Sequence, residues 1–327
     1  MQTPDWRQAL ADAFTDLPSL LAHLELDPAL LDGAAPALRA FSLRVPRGFA
    51  DRMRRGDPDD PLLRQVLPLA AESLPAAGFG TDPVGDREAQ AAPGLLHKYN
   101  ARVLIVATGA CAVHCRYCFR RHYPYAEGSA SPRQWAAIID HLTAHPEVDE
   151  VILSGGDPLM VSDQRLAGWL DRIEALPQVK RLRLHTRLPV VLPERITPTL
   201  IAELSGRRFD PVMVIHANHA NELSPRVAQA MGELKAAGIT LLNQSVLLQG
   251  VNDDSETLTT LSERLFAIGV LPYYLHLLDR VAGAAHFEVE ETRAQALHRA
   301  LLARLPGYLV PKLVREIAGE RSKTPVL

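Results

Sequence analysis

From about residue 100 onward, short runs rich in β-branched residues alternate with amphipathic segments long enough to form helices. The predicted strands are Val103–Thr108, Glu150–Ser154, Arg181–Thr186, Val212–Ala217, Thr240–Leu247 and Pro272–Leu277. The predicted helices between them include Pro132–Ala144, Ser162–Ala175 and Glu222–Ala237. Strands that alternate with helices in this way indicate a parallel sheet covered by helices. Six such units are too few for a closed eight-stranded barrel, so the sequence predicts an α/β fold with an open, partial (β/α)6 barrel.

The first 95 residues have a different pattern, in which helical stretches such as Trp6 to Ala22 and Leu62 to Ser73 are separated by Pro- and Asp-rich segments. Proline and aspartate clusters mark the ends of helices. The sequence therefore predicts two parts, an N-terminal helical cap over residues 1–95 and a barrel with a C-terminal segment over residues 96–327.

Charge and hydropathy exclude several classes of protein. The chain has 35 Lys and Arg against 38 Asp and Glu, a formal net charge of −3, whereas nucleic-acid binding favours a basic excess. No apolar run approaches the ~20 residues needed to span a bilayer. Asp5, Arg7 and Asp12 interrupt the N-terminus, which is untypical of a signal peptide. We expect a cytoplasmic protein that binds neither nucleic acid nor membrane.

The three cysteines, Cys111, Cys115 and Cys118, all lie within eight residues directly after the first predicted strand. An odd number of thiols cannot pair off completely, so a reduced compartment and a metal or redox role are favoured. Three interpretations remain open at this point. The thiols could pack in the core, bind zinc with His114 or His122 as a fourth ligand, or hold a [4Fe–4S] cluster with one iron open.

The spacing Cys111-x3-Cys115-x2-Cys118 after a first strand, with the aromatic Tyr117, resembles the signature of radical S-adenosylmethionine (SAM) enzymes. In that superfamily the open iron binds SAM, and the reduced cluster cleaves SAM to a 5′-deoxyadenosyl radical. Gly155-Gly156-Asp157 resembles the second motif, whose backbone and carboxylate hold the SAM ammonium. Taken alone, this segment also fits a strand-to-helix turn in which Asp157 acts as a cap.

Longer motifs narrow the resemblance to the lysine 2,3-aminomutase family. They are TRLPVVLPERIT at 186–197, HANHANE at 216–222 and NQSVLLQGVND at 243–253, and the similarity extends over roughly residues 80–327. The resemblance implies an isomerase that moves the amino group of L-lysine from C2 to C3, giving β-lysine. It also implies that pyridoxal 5′-phosphate (PLP) is required together with SAM and the cluster.

The resemblance assigns cofactor contacts residue by residue. Lys323 matches the lysine that holds PLP as a Schiff base, although the glycine-rich run before it is reduced here to Gly319 and the small Ser322. Lys98 and Arg102 match positions near the PLP phosphate. The residues that match polar groups on the SAM side are His216 and Gln244, and Arg187 is consistent either with anion binding or with an ion pair inside the barrel.

Substrate contacts follow from the same matching. Arg120 aligns with the arginine that holds the lysine carboxylate, and the planar guanidinium suits such pairing. Asp279 and Glu316 align with two acidic residues that bind the ε-ammonium, and the second is usually Asp.

Two branches of the family differ in purpose. The chain ends four residues after Lys323, and the short helical N-terminal region and the SKTP ending resemble the branch that makes β-lysine for translation elongation factor P. That branch implies a separate lysyl ligase and an electron donor of the flavodoxin or ferredoxin type. The alternatives are a catabolic or biosynthetic aminomutase, and an Fe–S or zinc-binding protein without aminomutase activity.

Overall fold

A computed structural model describes residues 5–128, 130 and 134–327 of the chain. Ten strands form one sheet in which each strand pairs with its neighbours in chain order. The strands are β1 Gln90–Ala92, β2 Leu95–Tyr99, β3 Arg102–Thr108, β4 Glu150–Gly155, β5 Arg181–Thr186, β6 Asp210–Ile215, β7 Thr240–Val246, β8 Leu271–His276, β9 Lys312–Arg315 and β10 Thr324–Pro325.

The sheet is surrounded by short and medium helices. The α-helices are α1 Trp6–Ala11, α2 Leu17–His23, α3 Ala35–Ala40, α4 Arg47–Ala50, α5 Pro61–Arg64, α6 Tyr125–Gly128, α7 Gln134–Ala144, α8 Asp163–Glu174, α9 Leu188–Val191, α10 Pro198–Ser205, α11 Pro225–Ala236, α12 Ser255–Ala267 and α13 Glu291–Arg304. The 3-10 helices are Pro28–Leu31, Ala70–Ser73, Pro158–Met160, Pro193–Arg195, Ala220–Glu222, Ala285–Phe287 and Gly307–Leu309.

The central strands β3 to β9 are parallel throughout, and the two edges are antiparallel. Strand order runs from β1 to β10 without closing, so the sheet is the predicted open, partial barrel. All six predicted strands are present, each with bounds within two residues of the prediction. The predicted helices correspond to α7, α8 and α11, although the expected start of α7 at Pro132 lies outside the described residues.

Helix starts follow local hydrogen bonding in the sequence. The side chains of Ser162, Ser224 and Asp254 each accept a hydrogen bond from a backbone N–H in the first turn of α8, α11 and α12 respectively. Capping of this kind satisfies N–H groups that have no partner within the helix. The helices therefore begin where a short polar side chain follows a loop.

The N-terminal helices are shorter than predicted. The stretch from Trp6 to Ala22 is broken because Asp16 is extended and accepts a hydrogen bond of 2.9 Å from the Ser19 N–H, which starts α2 as a new helix. The stretch from Leu62 to Ser73 is also broken, since α5 ends at Arg64 and a 3-10 helix begins only at Ala70.

Apolar side chains of both predicted parts pack in one core. Phe49 and Leu62 from the N-terminal region belong to the same buried cluster as Ile105 and Leu153 from β3 and β4. The division of the chain at residue 95 stays a prediction. Within the described ranges, no helix is long and apolar enough to cross a membrane.

Candidate active site

A cavity of about 280 Å³ lies where the parallel strands end. Its lining runs from the loop after β3 to the segment around β9 and β10, so both edges of the sheet contribute. All fifteen residues predicted to bind cofactors or substrate line this cavity: Lys98, Arg102, Cys111, Cys115, Tyr117, Cys118, Arg120, Gly155, Gly156, Asp157, His216, Gln244, Asp279, Glu316 and Lys323. The structure therefore brings the predicted residues together, while their individual roles stay predictions.

Hydrogen bonds and ion pairs from the N-terminal region hold the cysteine loop in place. The Glu72 carboxylate accepts hydrogen bonds from Arg116 Nε at 2.8 Å and from Arg121 Nη2 at 2.7 Å, and all three side chains are buried. The Arg116 guanidinium also donates to the Phe41 carbonyl at 2.7 Å, and its backbone N–H donates to the Gln65 carbonyl at 2.9 Å. These contacts fix the backbone of the loop between Cys115 and Cys118 and directly after Cys118.

Burial raises the pKa of two of the three thiols, Cys111 and Cys118. It raises the pKa of Cys118 to about 11, with Cys115 adding to the effect. Burial and the nearby Cys118 also raise the pKa of Cys111 well above its usual range. A bound cationic cluster reverses this balance because thiolates are its ligands. The donor set, three thiols lining one cavity, fits such a cluster.

The geometry does not suit a single zinc ion with a histidine ligand. His114 Nδ1 donates a hydrogen bond to the Ser42 carbonyl at 2.9 Å, and His122 Nε2 donates to the Ala282 carbonyl at 3.0 Å. Neither ring lines the cavity. The two histidines considered as a fourth zinc ligand are therefore not placed to serve as one.

Two glycines let β4 approach the start of the cysteine loop. Gly155 has φ +118, and a Cβ at this position would lie 2.7 Å from the Thr108 carbonyl oxygen. A Cβ on Gly156 would overlap the Ala110 carbonyl oxygen. The Gly156 N–H donates to the Thr108 carbonyl at 2.6 Å. The close backbone contact therefore explains why both positions are glycine, and their contact with SAM stays a prediction.

Asp157 acts as a cap and as a bridge between strands. Its carboxylate accepts hydrogen bonds from the Leu159 N–H at 3.0 Å, Thr186 Oγ1 at 2.7 Å, the Arg187 N–H at 2.8 Å and the Leu188 N–H at 3.1 Å. Burial nevertheless raises the pKa of Asp157 to about 6. The carboxylate therefore links the ends of β4 and β5, and its contact with SAM stays a prediction.

Arg187 makes an ion pair inside the barrel. Its Nη2 donates to Glu222 Oε2 at 3.0 Å and to Gln65 Oε1 at 2.6 Å, and its Nη1 lies 2.7 Å from Cys115 Sγ. Burial acts to lower the pKa of Arg187, but Cys115, Tyr117 and Glu222 outweigh it and raise the pKa further. The sequence allowed either anion binding or an ion pair for Arg187, and the structure shows the ion pair with Glu222. The same guanidinium also contacts Cys115, a predicted cluster ligand.

Several neutral imidazoles line the same cavity. The Gln244 side-chain amide lies 2.9 Å from His216 Nε2, and burial lowers the pKa of His216 to about 3. His185 Nε2 and His276 Nε2 are buried without a hydrogen-bond partner among the described residues. Burial lowers the pKa of both rings well below the usual range. Unpartnered ring nitrogens in a cavity suit a cofactor with polar oxygens, so this wall fits PLP.

Lys323 is positioned by the last strand. The pairing of β10 with β9 aligns Thr324 with Arg315, which brings Lys323 beside Glu316. Lys323 Nζ lies 2.7 Å from Glu316 Oε2 and 5.7 Å from the centre of the Tyr274 ring. The second oxygen of Glu316 lies 2.9 Å from Lys98 Nζ.

The positive charge of both lysines acts on Glu316. Burial alone would raise the pKa of its carboxyl, but Lys323 and Lys98 together lower it to about 2. Glu316 is thus a carboxylate shared by two cations, and its predicted contact with a lysine ammonium stays a prediction.

A carboxylate absent from the sequence prediction, Asp86, joins two of the predicted cations. Its oxygens lie 2.7 Å from Lys98 Nζ and 2.7 Å from Arg120 Nε, and all three side chains are largely buried. Arg120 Nη1 also donates to Ser154 Oγ at 3.2 Å. Asp86 had no recognisable signal, because a single aspartate in a loop is most often solvated.

Asp279 differs from the other acidic groups because its carboxylate has no hydrogen-bond or ion-pair partner within the described part of the chain. Burial raises its pKa to about 7, and the nearby Glu316 adds to the effect. Arg102 lies over the Tyr99 ring, 4.2 Å from its centre, and leaves its charge available at the cavity wall. The cavity therefore contains one carboxylate and one guanidinium suited to outside partners of opposite charge.

Comparison with known proteins supports the sequence resemblance. Residues 105–261 match the Radical SAM superfamily. The chain is 52% identical over 324 residues to the L-lysine 2,3-aminomutase of Escherichia coli (strain K12), covering 98% of this chain and 94% of that protein. It is 49% identical over 320 residues to the L-lysine 2,3-aminomutase of Haemophilus influenzae, covering 98% and 95%. Identity to the enzyme named L-lysine 2,3-aminomutase in Clostridium subterminale is 34% over 325 residues, covering 99% and 78%.

Solved structures share the fold at low sequence identity. Streptococcus suis SuiB matches with a TM-score of 0.50 and 13% identity over 67% of this chain and 50% of that chain. A radical SAM methyltransferase from Sphaerobacter thermophilus matches with a TM-score of 0.50 and 15% identity over 68% of each chain. The fold prediction and the family resemblance are both confirmed, and the chain belongs to the lysine 2,3-aminomutase family of radical SAM enzymes.

Proposed function

We propose that the chain converts L-lysine to β-lysine as a radical SAM, PLP-dependent 2,3-aminomutase. One observation carries the proposal: a single cavity is lined by the three cysteines, by Lys323 with its carboxylate partner, and by Arg120 and Asp279. A metal-binding module has no need of such a combination. The relatives that share 52% and 49% of residues carry the name of this activity.

Each cofactor has residues suited to it. Cys111, Cys115 and Cys118 would hold the [4Fe–4S] cluster, and Lys323 would hold PLP. Lys98 and Arg102 would supply positive charge at the PLP phosphate. The SAM side would be formed by the residues Tyr117, Gly155, Gly156, Asp157, His216 and Gln244. When bound, the cluster with SAM would supply carbon-centred radical chemistry at lysine C3, and PLP would supply a π system at the migrating nitrogen.

The chain itself orients lysine between opposite charges. Arg120 is fixed by Asp86 through Nε and by Ser154 through Nη1, which leaves Nη2 for the lysine carboxylate. Asp279, with its raised pKa of about 7, becomes fully charged when an ammonium approaches. The Glu316 carboxylate holds both Lys323 and Lys98 through ion pairs. Selection for lysine then depends on the separation of Arg120 and Asp279.

The proposal is tested by anaerobic incubation with L-lysine, SAM, PLP and a reductant, followed by chromatography of the amino acids. We expect more β-lysine than SAM supplied, because the family reaction regenerates SAM. L-norleucine, which lacks the ε-ammonium, should give almost no product. Stoichiometric consumption of SAM without β-lysine would indicate a different radical reaction.

A matched pair of variants tests Arg120. Arg120→Lys keeps the charge but loses the planar fork, so the KM for lysine should rise. Arg280→Lys is the control, since Arg280 is exposed and pairs with Glu288 at 2.7 Å outside the cavity. Equal KM values in the two variants would contradict the assignment of Arg120.

We further propose that the β-lysine is used to modify translation elongation factor P, with a separate ligase and an electron donor of the flavodoxin or ferredoxin type. The higher identity to the Escherichia coli and Haemophilus influenzae relatives, 52% and 49% against 34% for the clostridial relative, is consistent with this branch, as is the SKTP motif at Lys323. Deletion of the gene should remove the β-lysyl mass from elongation factor P, and added β-lysine should restore it. An unchanged mass would instead favour a catabolic or biosynthetic role.

A further inference from the structure

Three histidines meet outside the cavity, on the face of β2 that is turned away from it. They are His97 on β2, His141 in the last turn of α7 and His145 just beyond that helix. Each side chain is half-buried, and one nitrogen from each lies within 4.8 Å of the other two. In the described ranges this is the one group of His, Cys, Asp and Glu side chains with that geometry. None of the three lines the candidate active site.

The local backbone structure explains why the three imidazole rings lie close together. The spacing His141-x3-His145 places two imidazoles one helical turn apart on the same face. Pro146 follows and ends the helix, while the His145 N–H donates to the Leu142 carbonyl at 3.3 Å and keeps that ring over the last turn. On β2, side chains alternate between faces. Leu96 and Lys98 line the cavity, so His97 lies on the other face, toward α7.

The ring contacts leave ligand atoms in suitable positions. His97 Nδ1 and His141 Nε2 are 2.9 Å apart, and the His141 and His145 rings are 4.2 Å apart between centres. His145 Nδ1 pairs with Glu147 Oε1 at 2.8 Å, which leaves Nε2 of that ring as the nitrogen available to bind a metal. A carboxylate that holds one nitrogen of a histidine is the usual support of a metal ligand on the other nitrogen.

We propose that His97, His141 and His145 form a second metal site that binds a divalent transition cation of the zinc class. Imidazole ligands suit zinc, nickel, copper and cobalt rather than magnesium or calcium. Tetrahedral coordination with a water as fourth ligand requires Zn–N distances of about 2.0–2.1 Å. Small rotations of these half-buried rings would bring one nitrogen of each to that distance from a common centre.

The position of the site suggests a structural role. The cation would fasten β2 to the end of α7, and β2 carries Lys98 directly after His97. Lys98 is the residue that pairs with both Asp86 and Glu316 in the cavity. The site would therefore stabilise the strand from which one of the predicted phosphate contacts projects, without taking part in chemistry.

The test uses anaerobically purified, cluster-loaded protein, so that iron occupies the cysteines and zinc cannot bind there. Wild-type protein, His141→Gln/His145→Gln and His23→Gln are equilibrated with buffered Zn²⁺, gel-filtered and analysed for zinc and iron. His23 is the matched control, because it also pairs with a carboxylate, Asp51, at 2.8 Å but belongs to no group of three ligands in the described residues.

We expect about one zinc per chain in wild-type protein and in His23→Gln, and a zinc affinity weaker by more than about 100-fold in the double variant, with iron unchanged. Glu147→Gln should weaken zinc binding about 10- to 100-fold through the lost support of His145. Zinc should also raise the Tm of wild-type protein but not of the double variant. Equal zinc content in wild-type and double-variant protein, whether high or absent, overturns the proposal.

Discussion

Glu316→Gln removes the carboxylate that lies between two lysines, 2.7 Å from Lys323 Nζ and 2.9 Å from Lys98 Nζ. Burial opposes ionisation of Glu316, but the two lysines lower its pKa from 4.5 to about 2. At about 1.4 kcal/mol for each pH unit, this difference corresponds to about 3 kcal/mol of unfolding free energy at pH 7. Because the folded-state pKa is the lower one, the contribution is complete above about pH 4.5 and is lost as the pH falls toward 2.

The assay is urea unfolding at pH 7, followed by circular dichroism on protein free of PLP and cluster. Glu316→Gln should lose about 3 kcal/mol, since Lys323 keeps no other carboxylate partner among the described residues. Glu316→Asp retains the charge and should lose much less. Glu291→Gln is the matched control, because Glu291 pairs with Arg315 at the surface and such pairs contribute less than about 1 kcal/mol. If Glu316→Gln is no less stable than Glu291→Gln, the shared-carboxylate reasoning is wrong.

Cys115→Ala should lower the iron content far below the about four irons per chain of a cubane cluster, and stoichiometric zinc in the wild-type protein would contradict the cluster. Lys323→Ala should abolish the PLP adduct that survives borohydride reduction, whereas Lys312→Ala should keep it; an adduct in the first variant would move the assignment to another lysine. Asp279→Asn should weaken lysine use several hundred-fold, because loss of one member of an enclosed ion pair is destabilising by about 3–5 kcal/mol. Since the pKa of Asp279 is raised to about 7, wild-type lysine use should increase as the pH rises through 7, and the variant should lack this step.

The parallel strands were predictable because their buried positions are filled with branched apolar residues. β4, for example, is buried along almost its whole length, and such a run indicates a strand covered on both faces. β9 was missed, since Lys312–Arg315 has only four residues and a charge at each end. In the N-terminal region the helical pattern was real, but Asp16 competes for the backbone and divides the helix.

Sequence motifs identified the predicted residues of the site. They did not identify the residues that hold those side chains in place. Asp86 lies in a loop with other acidic residues and Glu72 in a segment rich in Leu and Ala, and only the fold brings them to Arg120 and Arg116. The His141-x3-His145 spacing was visible in the sequence, but its third member, His97, is 44 residues away from His141 along the chain. Long-range partners of this kind depend on strand pairing that local patterns do not specify.

The contacts of Glu72 with Arg116 and Arg121 have a consequence for the cluster site. One buried carboxylate of the N-terminal region holds the guanidinium groups on both sides of Cys118. Although none of the predicted cluster ligands lies in the N-terminal region, that region is therefore part of the support of the cluster site. We expect substitutions at Glu72 to lower the iron content of the protein even though Glu72 is distant from the cysteines in the sequence.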